Sequence, residues 1–171
     1  DSLTSKLKKA EVTRTLPKII VCVHLGGTSC DMKSIKNLSE KYGFKIIEDA
    51  SHAIGGKYKN TFVGSCKYSD LTVFSFHPVK IITSGEGGMI LTDDEEAAKW
   101  FRKGRYEGRG EVMYHEDNIT INGWNAYMSP EQAARGLMLM QNYPKQVPDI
   151  PENPPYRDLR EFPFLKKLGI K

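Results

Sequence analysis

The stretch KIIVCVH at residues 18–24 decides the fold of this chain, together with FKIIE at residues 44–48. The first is a continuous β-branched run, typical of a strand buried on both faces of a sheet, and the second has the pattern of the next strand. Between them, Asp31 is a suitable helix cap and Gly43 a suitable helix stop. The sequence therefore predicts a βαβ unit, with parallel strands and a right-handed crossover.

The rest of the sheet follows from the same kind of pattern. Residues 71–76 predict a third strand and residues 87–92 a fourth. The loop of about ten residues between them is short for a helical crossover, so these two strands either run antiparallel or lie apart in the sheet. Two further helices are predicted, over about 93–103 and 129–140. We therefore expect an α/β protein with a mostly parallel sheet and flanking helices.

The composition of the 171 residues is that of a globular protein, with 39% hydrophobic residues, 27% charged residues and a net charge of +4. No apolar run approaches the roughly 20 residues that a membrane-spanning helix needs, and the N-terminal residues lack the apolar core of a signal peptide. Exposed aromatics do not alternate with basic residues, which argues against nucleic-acid binding. Three cysteines without metal-type spacing predict no metal site and fit a reducing, cytoplasmic setting.

Polar residues stand at the ends of three consecutive predicted strands. His24 ends the first strand, Asp49 ends the second, and Lys80 follows the third. Because ligands of open α/β sheets bind at the carboxyl ends of the strands, these side chains could meet at one ligand. Simpler interpretations exist: Asp49 as a turn former, Lys80 as a solvated loop lysine, and His52 as a hydrogen-bonded structural residue. Residue types alone predict no more than an α/β domain that binds a phosphorylated ligand.

Three blocks of sequence resemble one known family. They are IEDASHA at residues 47–53, FSFHPVK at residues 74–80 and TSGEGG at residues 83–88. Their order and spacing are similar to those of the DegT/StrS family of sugar-nucleotide aminotransferases, which depend on pyridoxal 5'-phosphate (PLP). Residues 26–32 and 123–129 resemble two further segments of that family. The resemblance implies the large domain of the type I PLP-dependent aminotransferase fold.

The resemblance also implies a role for five residues. Lys80 matches the catalytic lysine that holds the cofactor covalently, and burial favours this role because it disfavours the charged form of a lysine. Asp49 matches the carboxylate that keeps the pyridine nitrogen protonated, which makes the ring a better electron sink. His52 matches a position close to the ring, and Ser75 matches a hydroxyl donor to the cofactor phosphate. Asn125 matches a residue that reaches the phosphate of the partner subunit's cofactor.

The activity that the resemblance implies is amino transfer to a nucleotide-linked keto sugar, with L-glutamate as the donor by family analogy. The product would serve amino-sugar and surface-glycan biosynthesis. A lysine at position 80 argues against the dehydratase branch of the family, which has histidine there. The block at residues 77–80 resembles the branch that aminates position 4 of 6-deoxy hexoses.

Two departures from the family pattern affect these expectations. Tyr127 stands where the family usually has arginine, and the chain is roughly half the usual length of a member. We expect residues 1–142 to be part of the PLP-binding large domain and residues 143–171 to be a proline-rich tail. The N-terminal phosphate-loop region and the C-terminal small domain are expected to be absent.

Two other interpretations of the chain stay open at this point. One is a truncated, non-catalytic binding or assembly subunit of the same fold, or a partial subunit that a complementary chain completes. A plain phosphate-binding domain of the Rossmann type fits less well, because the glycine-rich segment follows Lys80 and lacks the G-x-G-x-x-G spacing.

Overall fold

The computed structural model describes residues 2–110, 112–116 and 118–143. Within them the helices and strands, in chain order, are α1 (Ser2–Val12), β1 (Ile19–Val23), α2 (Met32–Tyr42), β2 (Lys45–Asp49), β3 (Lys57–Tyr58), β4 (Thr61–Phe62), β5 (Leu71–Ser75), β6 (Gly88–Leu91), α3 (Glu95–Arg105) and α4 (Pro130–Gln141). Short 3₁₀ turns lie at Leu25–Gly27 and Tyr114–Glu116. The predicted α/β class is confirmed.

The central sheet has four strands in the order β1-β2-β5-β6. The first three are parallel, with Val23 beside Asp49 and Asp49 beside Val73. The fourth strand, β6, is antiparallel to β5, and Ser75 lies beside Gly88. Of the two arrangements that the short loop allowed, the antiparallel neighbour is therefore the right one. Strands β3 and β4 form a separate two-stranded antiparallel sheet.

The helix ends are fixed by the residues that the sequence indicated. Asp31 caps α2, where its carboxylate accepts a hydrogen bond from the Ser34 hydroxyl at 2.6 Å. Gly43 ends that helix in the left-handed conformation, with φ +78°. Ser129 caps α4 in a capping box with Gln132, each side chain accepting from the other residue's backbone N–H. These caps satisfy terminal N–H groups that the helices cannot satisfy themselves.

The core lies on one face of the sheet. Ile46 and Phe44 are completely or almost completely buried there, together with Met32 of α2 and Leu7 of α1. A second cluster, which includes Ala50, Ala53, Val63 and Phe74, continues the core toward the carboxyl ends of the strands. The apolar contacts that fix the sheet therefore extend to the edge where the candidate site lies.

The opposite face of β1 is not covered within the described residues. Ile19, Val21 and Val23 are 53%, 55% and 48% exposed, whereas Cys22 between them is buried. The prediction that β1 is buried on both faces is therefore wrong for this structure, because α1 and α2 pack on one side of the strand only. Helix α1 was not predicted from the sequence. Its Leu3 and Leu7 lie one helical turn apart, and both contact the core.

The tail predicted for residues 143–171 lies outside the described residues except for Tyr143, whose hydroxyl donates a hydrogen bond to the Ile54 carbonyl at 2.8 Å. Of the helices that the structure describes, none is both long enough and apolar enough to cross a membrane.

Candidate active site

The candidate site begins where β2 ends. Asp49 is the last residue of that strand, between the ends of β1 and β5 in the sheet. Its carbonyl accepts a hydrogen bond from the backbone N–H of His24 at 3.0 Å, and the next N–H, of Ala50, donates to the Val73 carbonyl at 2.8 Å. Because both neighbouring strands hold the backbone here, the position of the Asp49 side chain is set by the sheet.

The Asp49 carboxylate is ionised and partly open. Its Oδ1 accepts a hydrogen bond from the Ser51 N–H at 3.1 Å. Burial would raise the pKa of this carboxyl, but the hydrogen bonds from Ser51 and the positive charge of Lys80 outweigh burial and lower it. The Ser51 N–H uses Oδ1, so Oδ2 is the carboxylate oxygen that this bond leaves to a ligand N–H.

Lys80 lies on the loop that joins β5 to β6. Backbone hydrogen bonds from Phe76 N–H to the Gly87 carbonyl at 2.8 Å and from Ser84 N–H to the Phe76 carbonyl at 3.1 Å close this loop. At its start the Lys80 N–H donates to the His77 carbonyl at 2.9 Å, which makes a tight turn. The three residues of the turn before Lys80 are exposed, whereas Lys80 is half-buried. Its side chain therefore lies against the protein and not in open solvent.

Ser75 is placed at the end of β5, and in the described part of the chain its hydroxyl serves as an acceptor. The hydroxyl oxygen accepts a hydrogen bond from the His77 N–H at 3.3 Å. An oxygen that accepts from a backbone N–H keeps its own proton for another acceptor. The group can therefore donate to a phosphate oxygen near the carboxyl ends of the strands.

His52 is held by the loop that follows β1. Its Nδ1 accepts a hydrogen bond from the Gly26 N–H at 3.2 Å. Gly26 is buried and has φ +65°, a left-handed backbone conformation that favours glycine. The contact joins the ends of β1 and β2 and leaves Nε2 as the ring nitrogen that carries the proton when the imidazole is neutral.

Asn125 is not part of this group of side chains. It is exposed, forms a backbone bridge with Tyr106, and donates from Nδ2 to Glu107 Oε1 at 3.3 Å and to the Tyr127 hydroxyl at 3.5 Å. Of the five residues with expected roles, the structure thus brings Asp49 and Lys80 within electrostatic reach of each other, with His52 and Ser75 at the same edge of the sheet. It places Asn125 on a separate surface.

A buried polar network lies beside the site and was not predicted from the sequence. His24 Nε2 donates to Glu48 Oε2 at 2.8 Å, and the other carboxylate oxygen accepts from the hydroxyls of Ser69 and Thr72. All four residues are less than 9% exposed. Burial would raise the pKa of Glu48, but the hydrogen bonds from these neighbours lower it. The signal in the sequence was Glu48 itself, because a charged residue inside an apolar strand needs buried polar partners.

Metal binding has no support in the part of the chain that the structure describes. No three His, Cys, Asp or Glu side chains are grouped there in a way that could hold a metal ion. The donors at the strand ends are instead one ionised carboxylate, one amine, one hydroxyl and one imidazole. This set suits an organic cofactor that carries a ring nitrogen, an aldehyde and a phosphate.

Comparisons with known proteins agree with this donor set. The sequence model of the DegT/DnrJ/EryC1/StrS aminotransferase family matches residues 3–149. The chain is 38% identical over 143 residues to the spore coat polysaccharide biosynthesis protein SpsC of Bacillus subtilis, covering 77% of this chain and 35% of SpsC. It is 34% identical over 155 residues to the UDP-4-amino-4,6-dideoxy-N-acetyl-beta-L-altrosamine transaminase of Campylobacter jejuni, covering 89% of this chain and 40% of that enzyme.

The solved structures that resemble this chain are also aminotransferases. PseC of Helicobacter pylori, an aminotransferase involved in pseudoaminic acid biosynthesis, superposes with a TM-score of 0.71 at 32% identity, over 75% of this chain and 34% of PseC. PLP and PMP forms of a sugar aminotransferase are also among the matching structures. The chain spans between a third and two fifths of the length of these relatives. It has the fold of PLP-dependent aminotransferases, and it belongs to the DegT/DnrJ/EryC1/StrS aminotransferase family.

Proposed function

We propose that this chain carries the cofactor lysine of a PLP-dependent aminotransferase that transfers an amino group from L-glutamate to a nucleotide-linked keto sugar. The observation that carries the proposal is the meeting of Lys80 and Asp49 at one edge of the sheet, where the charge of Lys80 contributes to the lowered pKa of Asp49. A nucleophilic amine and an ionised carboxylate at one ligand are what PLP needs at its aldehyde and its ring nitrogen.

The described donors fit the cofactor group by group. Asp49 Oδ2 is the oxygen available to the pyridine N–H, and the Ser75 hydroxyl is the donor available to the phosphate. We assign His52 to the neighbourhood of the ring and Lys80 to the covalent attachment. When bound, PLP supplies the electron sink for the carbanion that amino transfer requires. Lys80 Nζ would take the proton from the α-carbon of the amino donor as a base and then deliver it to the cofactor as an acid, so that the nitrogen stays on the cofactor and the donor leaves as a keto acid.

The second substrate and the biological role are inferred from the relatives. The name of the Campylobacter jejuni relative contains a UDP-linked amino sugar, and the Bacillus subtilis relative is named for polysaccharide biosynthesis. We therefore propose a nucleotide-linked keto sugar as the acceptor, aminated at position 4, in the synthesis of an amino sugar for a surface glycan. Since such precursors are made inside the cell, we assign the protein to the cytoplasm, with no nucleic-acid or membrane partner.

We further propose that the site is completed by a second polypeptide, in the first place a second copy of this chain. Asn125 is exposed and bonds Glu107 and Tyr127, so it is accessible to a second polypeptide, as expected of a residue that serves the partner's cofactor. In the described residues both outer strands of the sheet have an open edge, and an apolar cavity of about 1030 Å³ lies between β6, α3 and α4. Open strand edges and exposed apolar surface favour association.

A non-catalytic or partner-completed subunit of the same fold is the alternative function. It is favoured by the fraction of the relatives that this chain spans, 35% of one and 40% of another. A complementary chain would then take the place of the second copy. The two functions differ in whether the chain, once loaded with PLP, exchanges an amino group.

Adding L-glutamate to the PLP-loaded protein tests the proposal. We expect the absorption band of lysine-bound PLP to fall and the band of the aminated cofactor to rise, because the donor's amino group replaces that of Lys80. D-glutamate, which presents its α-proton on the wrong side of the ring, is the control and should leave the spectrum unchanged. A protein that shows the band of lysine-bound PLP but does not respond to L-glutamate would support the non-catalytic alternative.

Replacing Asp49 by asparagine should weaken PLP binding. The loss of a hydrogen bond to a charged group costs about 1.5–3 kcal/mol, which corresponds to a roughly 10- to 100-fold rise in Kd. Titration of the protein with PLP, followed by absorbance, measures this change. Asp70→Asn is the matched control, because Asp70 lies at the opposite end of the strands, where it bonds Lys45 and the Ile46 N–H. Equal Kd values for the two variants would exclude the role proposed for Asp49.

A further inference from the structure

The buried imidazole of His24 has contacts that the proposed reaction does not use. The ring is completely buried at the end of β1. Nε2 donates to Glu48 Oε2 at 2.8 Å, and Nδ1 accepts from the Cys30 N–H at 3.3 Å. Both ring nitrogens are therefore engaged, Nε2 with a carboxylate of the middle strand and Nδ1 with a backbone N–H of the loop.

These two hydrogen bonds connect the sheet to the loop that follows β1. The bond to Glu48 ties the ring to the middle strand, one residue before Asp49, and the bond from Cys30 ties the far end of the loop to the ring. At the near end of the loop the Gly27 N–H donates to the His24 carbonyl at 3.1 Å. His24 therefore holds the loop at both ends, at Gly27 through its carbonyl and at Cys30 through its ring.

Inside the turn that the bond from Gly27 to the His24 carbonyl closes, the loop contacts a candidate site side chain. The buried Gly26, at φ +65°, directs its N–H to His52 Nδ1 at 3.2 Å. A side chain at position 26 would be strained in this backbone conformation. The direction of the Gly26 N–H, and with it the state of the His52 ring, depends on the loop being held in this shape.

We propose that His24 is a positioning residue for His52: its buried ring anchors the loop after β1 so that the Gly26 N–H keeps His52 Nδ1 unprotonated and its proton on Nε2. The chain of contacts runs from Glu48 through His24, Cys30 and Gly26 to His52. A hydrogen-bond donor directed at Nδ1 disfavours a proton on that nitrogen and leaves the proton of the neutral ring on Nε2.

The consequence for the cofactor rests on the proposed function. With Nδ1 occupied by the Gly26 N–H, Nε2 is the nitrogen of His52 that can donate to a ligand near Asp49. His24 would thus act on the cofactor site from a position that never contacts the cofactor. The hydrogen bonds themselves are measurable in the protein without PLP.

The test uses two variants that each retain one of the two hydrogen bonds made by the His24 ring. In His24→Asn the side-chain oxygen lies near the position of Nδ1 and can still accept from Cys30, whereas in His24→Gln the amide nitrogen lies near the position of Nε2 and can still donate to Glu48. Both variants lose one buried hydrogen bond, so a purely structural role predicts the same effect for both. Our proposal predicts that only His24→Gln frees the loop.

The readouts are amide hydrogen exchange at Gly26 and the nitrogen-15 signals of the His52 ring, both at about pH 8, where histidine is normally neutral. We expect slow Gly26 exchange and an unprotonated His52 Nδ1 in the wild type and in His24→Asn. In His24→Gln and in the positive control His52→Ala, Gly26 should exchange about tenfold faster or more. The Ala53 amide, bonded to the Ala50 carbonyl, is the reference and should not change.

Equal Gly26 exchange in the two His24 variants would overturn the proposal. If either variant fails to fold, the wild type still decides the matter: a protonated Nδ1 on His52, or an unprotected Gly26 amide, contradicts the proposed contact. None of these measurements involves PLP or glutamate. A negative result therefore leaves the proposed aminotransferase function standing, and failure of the glutamate test leaves the positioning role standing.

Discussion

The Lys80→Ala protein, incubated with PLP and treated with borohydride, is expected to retain no cofactor label on the peptide that carries position 80. Borohydride makes a lysine–PLP linkage permanent, and alanine has no amine with which to form one. The wild type should carry about one label per active chain at Lys80. Absorbance of the purified protein and mass spectrometry of its peptides measure the loss, which we expect to be complete.

Two further variants are controls. One tests whether the positive charge of Lys80 is sufficient without its amine, and the other tests whether loss of a different lysine affects the label. Lys80→Arg keeps the positive charge near Asp49 but cannot form the linkage, so it should also lose the label. Lys57→Ala removes an exposed lysine of β3 that lies over the Phe62 ring, and it should label as the wild type does. If Lys80→Ala were still labelled while Lys57→Ala were not, Lys80 would not be the cofactor lysine.

Replacing Glu48 by alanine is expected to lower the free energy of unfolding by about 3–5 kcal/mol, since it removes a buried acceptor and leaves three buried donors unsatisfied. His24 would lose its Nε2 acceptor, and the buried hydroxyls of Ser69 and Thr72 would lose theirs. Total stabilities of domains are of the order of 5–15 kcal/mol, so the change is large. Urea unfolding followed by circular dichroism measures it.

Glu48→Gln is the matched variant, because it keeps the size and the acceptor oxygen and removes the charge. It should cost less than the alanine change, and it should also alter the response to acid. The pKa of Glu48 is lowered in the folded protein, so its stabilising contribution is present above the usual glutamate pKa of about 4.3 and is lost as the pH falls through the folded value. Without that group, the decline of stability between neutral pH and about pH 3 should be shallower. An unchanged acid profile would show that Glu48 is not ionised in the fold.

Much of the fold could be predicted from local patterns. The βαβ unit appears where the β-branched runs placed it, and the caps at Asp31, Gly43 and Ser129 are all used. These features depend on a few neighbouring residues, so a single sequence contains the information. The antiparallel β6 was one of two arrangements left open, because loop length limits strand direction without determining it.

Features that depend on distant residues were not predictable in the same way. The burial of β1 on one face only reflects which helices pack against it, and the hydrogen bond between His24 and Glu48 joins two separate strands. Within the candidate site, sequence placed Asp49 and Lys80 at strand ends, and the structure brings them to one edge. The roles of His52, Ser75 and Asn125 came from the family resemblance and stay predictions.

The closed loop between β5 and β6 bears on the order in which the molecule folds. Its hydrogen bonds join Phe76 to Gly87 and to Ser84, residues that are near in sequence, whereas the parallel pairing of β1, β2 and β5 joins segments separated by a helix or a long connection. Closing a short loop costs less chain entropy than closing a long one. The turn that carries Lys80 is therefore suited to form early in folding. Lys80 would then be in place before β2, which carries Asp49, pairs with β5.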